Sequence, residues 1–244
     1  MKRFGLIGKS LGHSFSANYF NGRFQRENLR DHLYELYPLE RIESFPELLR
    51  ATPDLYGLNV TIPYKESIIP FLDELDPTAQ AIGAVNTIQF VNGKTKGFNT
   101  DAHGFKASIR PFLENKHERA LILGTGGAAK AVAHVLEELG VTVYFASRSP
   151  ETQNSFFYKD INEPIMNACL LIVNCTPLGT YPDVEDMPGI PSNLIGSDHF
   201  VVDLIYNPEE TRLLREAKSN GAMVLNGTDM LHFQADEAWK IWNR

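Results

Sequence analysis

The chain is short of several things that would have fixed its class at once. It holds two cysteines in 244 residues, too few for a disulfide-stapled secreted scaffold. Cys169 and Cys175 fall in one strand-like stretch, where six steps of roughly 3.3 Å would hold them about 20 Å apart, beyond bridging. Both read as reduced thiols of a cytoplasmic protein. Positive charge is also scarce. Lys and Arg number 23 against 30 Asp and Glu, a net charge of -7, and no basic cluster breaks the pattern, which excludes a general nucleic-acid surface. No apolar run approaches the length of a membrane span, and no apolar segment of the signal-peptide kind follows Lys2 and Arg3. The seven histidines are scattered without ligand spacing, so no metal site is expected. None of the nine tyrosines has a lysine four residues on, so the Tyr-x-x-x-Lys proton donor of short-chain reductases is missing.

What is present centres on Ala120-Leu121-Ile122-Leu123-Gly124-Thr125-Gly126-Gly127-Ala128-Ala129. The apolar run reads as a buried parallel strand ending in glycine. Gly124, Gly126 and Ala129 fill a G-x-G-x-x-G/A pattern. The first glycine permits a tight turn, the second lets the backbone approach a pyrophosphate, and the small third residue lets a helix pack on the strand. Val132, Val135, Leu136 and Leu139 recur at the spacing of one helical face, Gly140 ends it, and Val141 to Phe145 reads as the next strand. This strand–turn–helix–strand context points to dinucleotide binding through Gly124, Thr125, Gly126, Gly127 and Ala128. In an NAD site an acid about 20 residues beyond the glycines accepts the ribose hydroxyls. Here Ala146-Ser147-Arg148-Ser149 stands at that place. Arg148 offers a permanently charged planar fork for a phosphate, and Ser147 and Ser149 add hydroxyls, so the pattern predicts NADP. Glu151 lies close enough to restore acceptor character if the loop folds back.

Either side of this motif the chain alternates helix and strand. Strands are expected at Phe4–Ile7, His32–Tyr37, Leu55–Thr61, Ala84–Val91 and Lys94–Asn99, the last two joined at Asn92-Gly93 as a hairpin. Helices are expected over 17–27, over 46–50 with Ser44 as cap, and from Tyr64. Beyond the motif come strands at 168–174, 201–204 and 222–225, a loop over 183–196, and helices over 209–219 and 229–242. Hydrophobic residues make up 43% of the chain, enough to core two ordinary domains. The expected fold is α/β. A mixed α/β substrate domain over 1–101 is followed by a doubly wound, Rossmann-type NADP domain over 102–228, and a C-terminal helix of 229–244 packs back on the first. A ligand is expected in the cleft between such domains, at the carboxyl ends of the strands.

A nucleotide domain beside a substrate domain suggests hydride transfer, and reducing a carbonyl then needs a protein group that protonates the developing alkoxide. Two polar clusters offer one: Asn59-Val60-Thr61-Ile62-Pro63-Tyr64-Lys65 at a strand end, and Gly97-Phe98-Asn99-Thr100-Asp101 after the hairpin. A lysine beside an aspartate can donate a proton while the aspartate orients it. A surface lysine and a helix-capping aspartate would show the same spacing.

Those clusters, with Gly5 to Gly8, Leu11-Gly12-His13-Ser14-Phe15-Ser16, Gly83-Ala84-Val85-Asn86-Thr87, Asn174 to Gly179, Asp203 with Tyr206, Pro208 and Thr211, and Gly227 with Met230, Leu231 and Gln234, resemble in order the motifs of shikimate dehydrogenases. The resemblance runs over nearly the whole chain. It implies NADPH-dependent, reversible reduction of 3-dehydroshikimate to shikimate, in aromatic amino acid biosynthesis. It implies Lys65 as acid/base with Asp101 as its partner, and Ser14, Ser16, Thr61, Asn86, Tyr206 and Gln234 toward the substrate. Thr176, Leu204 and Gly227 are implied beside the cofactor. A small-molecule substrate is the expected partner, with neither nucleic acid nor membrane, in a monomer or homodimer. The chain departs from the family at Ser10 and Ala17, where proline is usual, at Tyr19-Phe20 before Asn21, where histidine is common, and at Ser147-Arg148-Ser149 in place of Asn-Arg-Thr. Its segment from Arg148 to Asn174 is short. A quinate or mixed quinate/shikimate dehydrogenase, and a non-catalytic NADP-binding regulator, are the alternative readings of the same motifs.

Overall fold

Strand β1 (Lys2–Gly8) has five consecutive buried residues from Phe4 to Gly8, which marks a strand covered on both faces. Phe4 and Leu6 enter one apolar cluster and Ile7 another, as the two-residue alternation of a strand requires. The computed structural model describes residues 1–12, 15–150 and 152–244, and they divide into two units: Met1–Thr100 with Ala235–Arg244, and Asp101–Gln234.

In the first unit β1 is followed by α1 (Phe15–Arg26), β2 (His32–Pro38), α2 (Phe45–Ala51), β3 (Leu55–Val60), β4 (Glu74–Leu75), α3 (Pro77–Ile82), β5 (Thr87–Val91) and β6 (Lys94–Phe98). The sheet order is β2-β1-β3-β5-β6-β4. β1 is parallel to β2 and β3, while β5 runs antiparallel to β3 and β6. The hairpin at Asn92-Gly93 forms as expected, with φ of 52° and 77°, the left-handed pair that matches strand twist. The helix expected from Tyr64 does not form. Turns and a 3-10 segment at Ile69–Phe71 stand there, because Pro70 has no N–H to give and its ring would strike the carbonyl of Glu66 in a helix. Ser44 sits at the N-cap of α2 but its side chain makes no cap bond. The 3-10 turn Ile42–Ser44 runs straight into the helix, so Ser44 is helical rather than extended. Asp76 does cap α3, accepting from Thr78 N, with Pro77 at the first position, a signature readable in the sequence.

The second unit begins within α4 (Thr100–Ile109) and continues through β7 (Arg119–Leu123), α5 (Gly127–Glu138), β8 (Thr142–Ser147), β9 (Ser155–Phe157), α6 (Glu163–Ala168), β10 (Leu171–Asn174), β11 (Phe200–Asp203), α7 (Arg212–Ser219), β12 (Met223–Leu225) and α8 (Thr228–Trp242). All its strand pairs are parallel, in the order β12-β11-β10-β7-β8-β9. That is the doubly wound dinucleotide-binding order, with its switch point between β10 and β7. The strand expected over 168–174 is shorter, because Asn162 caps a helix that takes the chain to Ala168. The cysteines therefore do not share a strand: Cys169 closes α6 and Cys175 lies past β10, both as free thiols. The expected helix of 209–219 starts at Arg212, where Thr211 caps it. No helix among the described residues is long and apolar enough to cross a membrane.

The chain's two tryptophans both lie on the last turns of α8, within the first unit. Trp242 is 1% exposed, packs at 5.0 Å from the Phe4 ring and 5.1 Å from Phe20, and donates Nε1–H to the Ile88 carbonyl at 3.0 Å. Gln89 returns a bond to the Ile241 carbonyl at 2.6 Å. The indole lies flat against Gly57 of β3, where a Cβ would collide with it. Gly57→Ala is therefore expected to overpack this core, a cost of about 1–3 kcal/mol. Thermal unfolding should show a lowered Tm, partly restored by Trp242→Phe in the same chain; an unchanged Tm in Gly57→Ala would contradict the packing.

Candidate active site

The three motifs of the first unit are tied together by buried polar side chains. Asn59, near the end of β3, donates from Nδ2 to the Asn86 carbonyl (3.3 Å) and to Thr87 Oγ1 (3.2 Å). Its Oδ1 accepts from the hydroxyl of Tyr34 at 2.8 Å. Tyr34 also bonds Ser16, and burial raises its phenol well above the usual range. Asn86, 3% exposed, uses Oδ1 to accept the Thr100 backbone N–H at 2.7 Å, and donates to Thr100 Oγ1 at 3.0 Å. Asn99 donates to the Ala84 carbonyl at 2.9 Å. A buried amide left unpaired costs roughly 1–3 kcal/mol. These mutual bonds remove that cost and join β3, the turn before β5, and the first turn of α4. Asn86 thereby caps the helix on whose second residue Asp101 stands, and Asp101 is 6% exposed.

Lys65 follows the cis Ile62-Pro63 turn, half-buried, with its carbonyl accepting from Val85 N at 2.7 Å. Thr61 is half-buried and its backbone N–H bonds the Ile7 carbonyl at 2.9 Å. Ser16 is the second residue of α1, inside the helix rather than at its cap. Ser14 lies outside the described residues, as do His13 and Glu151. Tyr34 was not among the expected site residues. Its strand position carried no signal beyond a polar tip on an apolar body.

In the second unit, α4 and α8 meet at Gly104, where a Cβ would strike the Met230 carbonyl and touch Gln234. Asp101 is one turn before Gly104 on the same helical face. Gln234 is 9% exposed and donates to the Leu231 carbonyl at 2.9 Å. Tyr206 is 38% exposed, with its phenol raised by partial burial.

The glycine turn has the form a dinucleotide requires. Gly124 has φ of 101°, in the left-handed region, and its N–H bonds the Ala146 carbonyl. Gly126 is extended and serves as N-cap of α5, and no atom lies within 4 Å of where its Cβ would be. A side chain would fill that open cradle above the first N–H groups of α5, which is where a pyrophosphate is held. Thr125 is exposed, Gly127 and Ala128 are half-buried, and Ala129 is fully buried under the strand. At the end of β8, Ser147 Oγ accepts from Ser149 N at 3.1 Å and keeps its proton free to donate, while Arg148 and Ser149 are exposed. Ser147 to Ser149 contain no carboxylate. The residues present thus fit NADP. Gly227 presses its backbone against the Leu204 carbonyl, so only glycine fits there.

A second buried network joins the remaining motifs. Asp203, fully buried at the end of β11, accepts from Asn174 Nδ2 (3.0 Å), Ile205 N (3.1 Å) and Thr211 Oγ1 (2.7 Å). Asn174 in turn accepts from the N–H and hydroxyl of Thr176, so the Thr176 hydroxyl is spent internally. Burial pushes the Asp203 carboxyl up to about 6, against the pull of its three donors.

The profile of a family described as "Shikimate dehydrogenase substrate binding domain" matches residues 6–88. A curated shikimate dehydrogenase (NADP(+)) from Methanosphaera stadtmanae is 37% identical over 256 residues, covering 98% of this chain and 90% of that protein. The crystal structure of shikimate dehydrogenase from Aquifex aeolicus superposes with a TM-score of 0.89 at 36% identity, over 99% of this chain and 92% of the other. That of shikimate 5-dehydrogenase from Thermus thermophilus, solved in complex with NADP(H) and shikimate, gives 0.86 at 34% identity, over 99% and 93%.

The buried carboxyl carries a pH signature. An acid whose folded pKa of about 6 exceeds its unfolded value near 4 holds its proton more tightly when folded. Its contribution to stability is therefore full below about pH 4 and is lost as pH rises through 6, at roughly 1.4 kcal/mol per unit between the two values. Asp203→Asn removes that titration. The difference in unfolding free energy between wild type and Asp203→Asn should change by about 2–3 kcal/mol between pH 4 and 7, with wild type gaining toward acid. A flat difference curve would contradict the assignment.

Proposed function

The chain belongs to the shikimate dehydrogenase family, and we propose that it catalyses the reversible, NADPH-dependent reduction of 3-dehydroshikimate to shikimate. The observation that carries this reading is the joint survival of an NADP-type cradle and of the Lys65 and Asp101 positions, in a chain related over its full length to NADP(+)-dependent shikimate dehydrogenases. NADPH, when bound, supplies the hydride. Gly124 to Ala128 take its pyrophosphate on the backbone of the α5 N-terminus, and Arg148 with Ser147 and Ser149 takes the 2′-phosphate. Leu204, Gly227 and Thr176 shape the backbone at the ends of β10 to β12.

Lys65 gives its Nζ proton to the oxygen that becomes the alcohol, which relieves the charge developing on it in the transition state. In the reverse direction the neutral amine takes that proton back. Asp101 orients the Lys65 ammonium. Ser14, Ser16, Thr61, Asn86, Tyr206 and Gln234 bind the carboxylate and hydroxyls of the substrate, which as a small polar anion needs hydroxyl, amide and ammonium donors. Asn86 has already committed its oxygen to Thr100, so one amide N–H is what it offers. Ser16 is held by Tyr34, and through it by Asn59, so the first turn of α1 and the end of β3, the strand that leads to Lys65, are joined by one hydrogen-bonded chain.

The purified protein assayed with shikimate and with quinate, each with NADP and NAD, tests the reading. Turnover of shikimate with NADP well above the other three pairs is the expected result. Greater kcat/KM on quinate, or no turnover at all, would replace it with the quinate or the non-catalytic alternative. Within that assay, Lys65→Ala is expected to lower kcat by roughly 10²–10⁴-fold with a much smaller rise in KM, because several other donors hold the substrate. A folded Lys65→Ala protein with near-wild-type kcat would remove Lys65 from the chemistry.

A further inference from the structure

Phe15, Tyr19 and Arg23 follow one another at four-residue spacing along α1, so their side chains form a row on one helical face. The row begins beside Ser16. Phe15 stacks on Tyr19, with ring centroids 5.4 Å apart and planes inclined by 26°. The Tyr19 hydroxyl donates to Asp236 Oδ1 at 2.6 Å, and Arg23 Nη1 donates to the same oxygen at 2.6 Å. Asp236 stands on α8, in the part of that helix that belongs to the first unit. Trp239, one turn further along α8, has the Arg23 guanidinium over its ring at 5.3 Å. Beside the row, Phe20 and Phe24 of α1 share a buried cluster with Ala235 and Ala238 of α8. Small residues at such a contact let the two helix axes approach closely.

The Arg23–Asp236 pair is partly exposed, at 22% and 46% for the two side chains, and a pair of that kind contributes little stability by itself. Tyr19 adds two things. Burial, and then the Asp236 carboxylate, push its phenol up to about 12, so the proton stays on the oxygen and the bond to Asp236 is held through the neutral range. Its ring then carries the tie back to Phe15, at the start of the helix. A helix frays at its first turn, where four N–H groups have no partner within the helix, and Ser16 is the second residue of α1. A hydrogen bond weakens steeply when its donor or acceptor moves out of line. Fixing this turn therefore matters to any ligand that Ser16 meets.

We propose that Tyr19 is a positioning residue for the substrate: anchored on Asp236 of α8, it holds Phe15 by stacking and so sets the first turn of α1, and Ser16 with it, in the geometry that binds shikimate. The inference rests on the shikimate reading above and adds to it a residue that acts through Ser16.

The test is calorimetric titration of shikimate into the full-length protein, with NADP titrated separately and no turnover involved. Tyr19→Phe keeps the ring and loses the bond to Asp236; it should weaken shikimate roughly threefold or more and leave NADP binding unchanged. Asp236→Ala, which cuts the same bond from the other end, should match it. Tyr19→Ala, which also loses the stack, should weaken shikimate roughly tenfold. In a Ser16→Ala background Tyr19→Phe should add little, because the two act through one contact. Thermal unfolding of each variant checks the fold. A lowered Tm with wild-type shikimate affinity would make Tyr19 a tie between two helices and nothing more, and full additivity with Ser16→Ala would equally overturn the inference. If wild type itself binds no shikimate, the shikimate reading falls and the inference with it.

Discussion

A polar side chain taken out of water must find a partner, and in this protein that constraint determines where the motif residues go. Asn59, Asn86, Thr87 and Thr100 are all nearly or fully buried, and they satisfy one another. Asn174, Asp203 and Thr211 do the same in the second unit. Each network joins the ends of strands to the start of a helix. The two positions proposed for the chemistry are carried on backbone beside the first network: Lys65 past the end of β3, Asp101 in the first turn of α4. Removing any one amide strands its partners in a low-dielectric interior, where each lost bond costs more than the bond contributed.

This changes what the motif residues mean. Read as a string, Asn-Val-Thr-Ile-Pro-Tyr-Lys and Gly-Ala-Val-Asn-Thr look like rows of ligand donors. In the fold, most of their amides and hydroxyls are occupied in holding the geometry, and few groups are left to meet a substrate. Tyr64, in the middle of the first motif, is 5% exposed and bonds the Leu39 carbonyl at 2.6 Å. Thr176 belongs to the same class, since its hydroxyl is spent on Asn174. The glycines divide likewise. Gly124 is required for its backbone angle, Gly126 for the space above it, and Gly57, Gly104 and Gly227 for what presses against them.

The short β8–β9 link shows how the same dinucleotide-binding sheet tolerates loss of a crossover helix. Sheet order and parallel pairing persist, because the chain has to retreat by only two residues, from Ser147 to the level of Phe145, for β9 to pair with the end of β8. What changes is the surface: an aromatic ring and a lysine stand where a helix would cover the sheet face.

By itself the sequence determined the elements that rest on local chemistry. The apolar run into Gly124, the helical spacing after it and Asn92-Gly93 between two strands are each decided by steric limits on a few neighbouring residues, and all three formed. The order of motifs was enough to place the chain in its family. Two differences are local as well: Pro70 cancelled the helix after Tyr64, and Asn162 with Pro164 turned part of an apparent strand into α6. Only the tertiary structure decided matters that depend on residues far apart in the chain. Tyr34 emerged as the link between Ser16 and Asn59, because a phenol's partner is fixed by packing and not by its neighbours in sequence. Phe157 acquired its place beside Ser147 through strand register, which no local pattern encodes.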